Sequence, residues 1–554
     1  MMERREWFQL LAALAAAPAA ASMQQSPAEP PAITKDMLLA ALKVMGLEFR
    51  DPQLEMMLAN ANRALGNFSA LRKIEVPQDT APAFTFAPKL PASPKAAKAR
   101  FQPSKLVARK DWKNIEDLAF WPVTSLAPLL KAKKISSTDL TKMYLERLKQ
   151  FSPKLNCVIT LTSDLALDQA KRADSELRRG KYKGPLHGVP WGAKDLLATK
   201  GIPTTYGAEP FQNQVLDYDA TVVERLEKAG AVLVAKLSMG ALAMGGLWFG
   251  GMTKTPWDTE RTSSGSSAGS GSATAAGLVG FSIGTETLGS IISPSIRCGV
   301  TGLRPTYGRV SRHGAMALCW TLDKIGPICR SVEDCALVLQ AIYGPDGRDA
   351  SVISTPFDWN PRLPLKGLRI GVVQKDFDSL KDEEKKLYDQ ALADLRKAGV
   401  VMKPVELPEL DTAVIRTILS AEGAAAFDDL TRNGGVDQLK DQGPGAWPNS
   451  FRSSRLIPAV EYIRACRART LQMAAMDKFF QDWDVLVGHP YAGPLMSISN
   501  LTGHPQIVVP CGFHNKLPYG LVFTGKVGRE GDPMRVALAY QQATEWHRKH
   551  PQLA

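Results

Sequence analysis

The sequence predicts an α/β protein, and three observations carry that expectation. From about Asp111 onward, helical and strand patterns alternate along the chain, as they do in a sheet covered by helices on both faces. Two apolar runs, Ala231-Val232-Leu233-Val234-Ala235-Lys236 and Gly371-Val372-Val373, follow helical stretches and read as buried strands. Residues 264–311 are crowded with Gly, Ser, Ala and Thr; such small residues let backbones approach closely and leave N–H groups free to meet a ligand. The chain has 554 residues, more than one small core needs, and its 45% apolar and 22% charged fractions are those of a folded soluble protein.

Taken in order, the chain opens with residues 1–22, where Arg4-Arg5 precedes an apolar run from Trp7 to Ala17 and then small residues. This is the layout of a bacterial secretory signal, and Arg4-Arg5-Glu6-Trp7-Phe8 has the order of a twin-arginine signal. The expectation is cleavage near Ala21 and an exported, periplasmic protein. No later apolar run approaches the ~18–20 residues that span a bilayer, so no integral membrane association is expected.

Residues 33–75 read as an N-terminal helical hairpin. One amphipathic segment covers Met37 to Met45, and a second starts with Asp51 as N-cap and Pro52 at the first helical position. In the second, Leu54, Met57, Leu58, Ala61 and Leu65 fall on one face. Residues 76–110 read as a basic Pro/Ala linker, because Thr80 to Lys110 holds seven basic residues and no acidic one. This run supplies part of the net charge of +13 and reads as a solvated segment, with no nucleic-acid partner expected.

Within 111–554, Ser136 to Lys149 is a well-capped helix, Val158 to Leu161 a strand and Asp164 to Arg179 a polar-faced helix. Ser266-Ser267 opens a small-residue helical run from Ala268 to Leu278. Phe281 to Ile283 reads as a short buried strand, and Gly284 to Ser290 as a tight turn. Ser290 then ends a loop lined by the backbone amides of Thr287, Leu288 and Gly289, the arrangement that an acyl-transfer nucleophile and its oxyanion need. The seven cysteines form no CxxC pair and no zinc spacing, and their odd number argues against a complete disulfide framework. They read as small core residues.

Around these residues the sequence resembles the amidase signature family, hydrolases with a Ser–Ser–Lys triad. The family's fingerprint reads GGSSGGS, GTDTGGSIR and CGVVGLKPTYGRVS; this chain has SGSSAGS, GTETLGSII and CGVTGLRPTYGRVS in the same order. The family's two serines map onto Ser266 and Ser290, 24 residues apart as in the family, and its lysine onto Lys194 in GVPWGAKD. The resemblance covers roughly residues 111–550 and implies one large mixed sheet wrapped in helices. It also implies a cis peptide bond before Ser266, no metal and no organic cofactor. The roles it implies are Ser290 as nucleophile, Ser266 as proton relay and Lys194 as base.

A lysine acts as a base only when neutral, so Lys194 must be buried and lack a counter-charge, and Asp195 must point elsewhere. Ser267 and Ser270 are expected to be structural, and His187 and His504 to be packed hydrogen-bonding residues. In the two serine-bearing strings the chain departs from the fingerprint in five places. Leu288, Ser264 and Ala268 replace glycines, Glu286 replaces Asp, and Ile292 replaces the Arg that commonly pairs with that Asp. Leu288 is either strained at positive φ or narrows the acyl pocket, and Glu286 needs a new partner.

The function expected is hydrolysis of a linear carboxamide through an acyl-enzyme, with a small-molecule amide as substrate. Two alternatives stay open: a tRNA-dependent amidotransferase A-type subunit acting as a glutaminase, or a weakly active binding descendant of the family.

Overall fold

The computed structural model describes residues 33–75, 84 and 100–553. The expected signal peptide and most of the expected linker lie outside the described residues. The described residues divide into two compact units: those within Met1–Phe86, Leu318–Thr321 and Pro408–Met476 form one, and those within Ala87–Ala317, Leu322–Leu407 and Asp477–Ala554 form the other.

The larger unit is built on an eleven-stranded sheet. In chain order its strands are β1 (Val158–Leu161), β2 (Pro190–Lys194), β3 (Val232–Leu237), β4 (Phe281–Glu286), β5 (Thr301–Arg304) and β6 (Lys324–Cys329). They continue as β7 (Ile370–Val372), β8 (Met402–Pro404), β9 (Val485–Gly488), β10 (Gln506–His514) and β11 (Leu517–Gly525). Across the sheet they lie in the order β1-β3-β2-β4-β6-β5-β10-β11-β9-β7-β8. The β3/β2, β2/β4, β9/β7 and β7/β8 pairs are parallel, and the other pairs are antiparallel, so the sheet is mixed as the resemblance implies. Every residue of β2, β3, β4 and β6 is buried, which requires cover on both faces because successive side chains alternate sides.

Local signals place several elements as expected. The helix Ser137–Leu155 starts on Ser136, whose hydroxyl accepts from Asp139 N at 2.9 Å. The strand after the small-residue helix is longer than expected. It runs on to Glu286, because Gly284, Thr285 and Glu286 pair with Gly326, Ile325 and Lys324 of β6. The turn is thereby confined to residues 287–290.

In the smaller unit, helices Lys35–Val44 and Asp51–Lys73 bury Leu38, Leu42, Leu54 and Met57 in one cluster. The N-cap of the second helix is Arg50 and not Asp51. Gln53 Oε1 accepts from Arg50 N at 2.8 Å, which satisfies the backbone one residue earlier than the Asp-Pro signal indicates. Met57, Ala61, Phe68 and Leu71 continue the buried face, which packs against Trp447–Ser454 and Ala413–Ala426. The expected alternation of helix and strand fails in 408–476, where the described elements are all helical. Runs such as Ala413-Val-Ile-Arg-Thr-Ile-Leu-Ser-Ala-Glu-Gly-Ala-Ala-Ala are rich in good helix formers. Glu422 ties segment 318–321 into this unit by accepting from Thr321 N at 2.9 Å and from Tyr462 Oη at 3.0 Å.

All seven cysteines are free and buried, as expected of core residues. Among the described residues no helix is long and apolar enough to cross a membrane.

Candidate active site

Lys194 ends β2, which is hydrogen-bonded in parallel to β3 on one side and β4 on the other. Its side chain is fully buried. Nζ lies 2.8 Å from Ser266 Oγ, 2.8 Å from Thr285 Oγ1 and 3.4 Å from the Thr285 carbonyl oxygen. Burial pushes the Lys194 amine down to about 7, against the pull of Asp323 and Glu286 in the other direction.

Asp195 points away from this site, as the chemistry requires. Its Oδ1 lies 2.9 Å from Lys236 Nζ, with both side chains fully buried. Its Oδ2 accepts from Thr205 N at 2.8 Å and from the Thr205 hydroxyl.

The peptide bond before Ser266 is cis, as implied. Gly265 is dictated by contact, since a Cβ there would sit 1.8 Å from the Gly245 carbonyl oxygen. Ser267 N donates to the Ser290 carbonyl at 3.2 Å and so holds the two serine segments side by side. The Ser267 hydroxyl is committed to Thr285, donating to its carbonyl at 3.1 Å and accepting from its amide at 3.1 Å. Ser270 Oγ donates to the Ile283 carbonyl at 3.0 Å. Residues 265–269 spell G-x-S-x-G around Ser267, but this fully buried, doubly bonded serine is a structural pin.

Ser290 is 9% exposed, against 1% for Ser266 and 0% for Lys194, so exposure rises from the lysine toward Ser290. Gly289 takes φ +82°, the bend that turns the loop from β4 toward helix Ile292–Cys298. The amides of Leu288, Gly289 and Ser290 donate to no other described residue. Thr287 anchors the start of the loop, its hydroxyl donating to Asp323 Oδ1 at 2.6 Å. A partly exposed serine hydroxyl, a buried hydroxyl–amine pair on the neighbouring segment and uncommitted loop amides suit acyl transfer at a carbonyl. Among the described residues no His/Cys/Asp/Glu group is arranged to hold a metal ion.

Comparison with known proteins gives the family. Residues 139–495 match the Amidase family model. The chain belongs to the amidase signature family. It is therefore a hydrolase of carbon–nitrogen bonds. It is 36% identical over 485 residues to the glutamyl-tRNA(Gln) amidotransferase A-type subunit from Moorella thermoacetica, an alignment covering 79% of this chain and 99% of that protein. Among solved structures it resembles the native peptide amidase from Stenotrophomonas maltophilia, with a TM-score of 0.68 and 31% identity over 77% of this chain and 97% of that one. An amidase family protein from Bacillus anthracis gives a TM-score of 0.71 at 26% identity, over 79% and 94% of the two chains.

The departures from the family fingerprint resolve as follows. Leu288 is not among the described residues with positive φ, so it carries no left-handed strain, and it is half-buried at the loop. Ser264 does carry such strain, with φ +64° where the fingerprint has glycine. Glu286 has new partners: Oε1 accepts from Arg304 Nη1 at 2.7 Å and Asn500 Nδ2 at 2.9 Å, and Oε2 from the amides of Ile291 and Ile292 at 2.9 and 3.0 Å. Burial alone pushes this carboxyl up, but Arg304, Lys324 and the Ile292 amide together hold it at about 2.

Both histidines are packed, as expected. His504 stacks on Phe480 and shares a 2.8 Å hydrogen bond with Thr502 Oγ1; burial, then the Arg304 charge, pushes it down to about 3. His187 Nδ1 accepts from Lys183 N at 3.1 Å, and its Nε2 lies 3.0 Å from Glu176.

Thr285, Arg304 and Asn500 were not singled out by sequence reasoning. Thr285 stands beside Glu286 in GTETLG, and Arg304 is the one charged change in CGVTGLRP, where the fingerprint has lysine. Those positions were the available signals.

Proposed function

We propose that this chain hydrolyses a small carboxamide through an acyl-enzyme on Ser290, with Ser266 and Lys194 moving the proton and the Thr287, Leu288 and Gly289 amides receiving the oxyanion. The carrying observation is the environment of Lys194, fully buried and 2.8 Å from Ser266 Oγ, with Asp195 diverted to Lys236. A neutral amine has two hydrogens and one lone pair. With the hydrogens given to Thr285 Oγ1 and the Thr285 carbonyl, the lone pair is left for the Ser266 hydroxyl.

The steps then balance. Ser290 Oγ bonds to the carbonyl carbon while its proton passes to Ser266, whose own proton passes to Lys194. The C–N bond breaks as Lys194, through Ser266, returns the proton to the departing nitrogen. Water repeats the sequence on the Ser290 ester and releases the acid.

A second reading is favoured by the 36% identity across 99% of an amidotransferase A-type subunit. In it the same acyl-enzyme forms from glutamine and the ammonia is handed on. A fluorophosphonate probe with peptide mapping tests the shared step: label on Ser290 is expected, and label elsewhere or none overturns the mechanism. Ammonia release from glutamine, compared with a panel of simple carboxamides, separates the two readings.

Export is proposed on the Arg4-Arg5 signal pattern. N-terminal sequencing of the native protein is expected to return Ser22 or Met23 from outside the cytoplasm, and Met1 from cytosol would remove the idea.

A further inference from the structure

We infer that the smaller unit holds a binding site for a small oxyanion, of the phosphate or carboxylate class, gripped by Arg63 and Arg416. The two arginines come from helices Asp51–Lys73 and Ala413–Ala426 and line one cavity of about 160 Å³. At roughly 30 Å³ per water, that is room for about five waters. The volume suits a single ion or the charged end of a small metabolite, not a polymer.

Three observations carry the inference. First, every charged residue lining the cavity is a cation; the other polar groups, among them Asn67, Thr417, Ser420 and Ser450, are neutral. Second, neither arginine has a hydrogen bond or a carboxylate within ion-pair distance among the described residues, whereas Arg452 and Arg455 nearby in sequence both have carboxylate partners. Third, Arg416 is half-buried. Burial, then the charge of Arg63, pushes its guanidinium below its ordinary value, and Asp411 offsets this only in part. The Asp411 carboxylate accepts from Ala413 N at 2.8 Å.

Arg63 is exposed and Arg416 half-buried, so the two like charges repel through a partly solvated space, and Asp411 offsets this only in part. An oxyanion between them would neutralise both, and paired guanidinium forks match the oxygen spacing of phosphate and carboxylate. The residues of this site take no part in the acyl-transfer chemistry.

The test is isothermal titration and thermal unfolding of the full chain with sodium phosphate or sodium acetate, against sodium chloride at equal ionic strength. Saturable binding with a raised melting temperature is expected, and whichever anion gives it identifies the phosphate or the carboxylate source. Arg63→Gln and Arg416→Gln should each weaken that binding about tenfold or more. Lys366→Gln, an equal change of charge in the larger unit, should leave it unchanged. Ala64→Glu, which places a carboxylate in the cavity and keeps both arginines, should raise the melting temperature in chloride and abolish the anion response. No response to either anion, or a response undiminished in Ala64→Glu, overturns the proposal even if an arginine variant fails to fold.

Discussion

Lys236 holds Asp195 at 2.9 Å in a fully buried ion pair, one residue along the chain from Lys194. The pair removes the one carboxylate that its sequence position places beside the base. Breaking it would leave a buried charge uncompensated. Lys236→Met is therefore expected to destabilise the protein by roughly 3–5 kcal/mol in denaturant unfolding. Lys236→Met combined with Asp195→Asn should recover much of that loss, because the asparagine carbonyl still accepts from Thr205 N. Equal destabilisation by the single and double variants would show that the pair is not the cause.

The Lys194 amine near 7 predicts that kcat/KM rises with pH through about 7 with the slope of one proton. The stability effect has the same direction. Its folded value lies below the ordinary 10.5, so between about 7 and 10.5 the unfolded chain binds more protons and stability rises with pH. Below about 7 both states hold the proton, and this dependence is absent. Lys194→Met should abolish turnover and remove that part of the pH–stability slope. A pH–rate profile flat from 5 to 9 would exclude Lys194 as base.

Ser290→Ala should abolish acyl-enzyme formation, and Ser266→Ala should cut turnover by orders of magnitude with folding intact. Groups acting as one unit are strongly non-additive, so the double variant should be little worse than Ser290→Ala alone. Near-normal turnover by Ser290→Ala would eliminate the assignment.

Two of the three departures from glycine, Ser264 and Leu288, should behave oppositely. The left-handed backbone at Ser264 costs about 1–2 kcal/mol; Ser264→Gly relieves this at an entropic cost of about 0.5–1 kcal/mol, for a net gain of roughly 0.5–1 kcal/mol. Leu288 carries no such strain, so Leu288→Gly should cost roughly 0.5–1 kcal/mol while widening the acceptance of bulky acyl groups. Denaturant unfolding with an amide panel checks both, and an unchanged substrate ranking would show that Leu288 does not face the acyl group.

Much of the candidate site was legible because short strings fix it. Lys194, Ser266 and Ser290 each sit in a motif whose spacing can be counted, and the divergence of Asp195 follows from the need for Lys194 to be neutral. Their partners were not legible. Lys236 reaches Asp195 only because β3 lies beside β2, and Asn500 reaches Glu286 across 214 residues of chain. A single sequence carries no signal for such pairings. The α/β class was legible from alternation, whereas helical block 408–476 was missed because the alternation was carried to the end of the chain, although the 14-residue run Ala413–Ala426 is longer than a usual strand and rich in helix formers.

The Glu286–Arg304 pair bears on how this chain can be altered. Glu286 already commits one oxygen to Arg304 and Asn500 and the other to two backbone amides, and Ile292 is fully buried beside it. Restoring the family's arginine with Ile292→Arg alone would thus add a second cation to an acid already satisfied and put that cation in a dry interior. The fingerprint carries a basic residue at both positions beside an aspartate, so the arginine would have to return together with a change in Glu286, the acid it pairs with. Neighbours sharing one partner do not add independently, so in this corner of the enzyme a change at 286, 292 or 304 limits what the other two positions can hold.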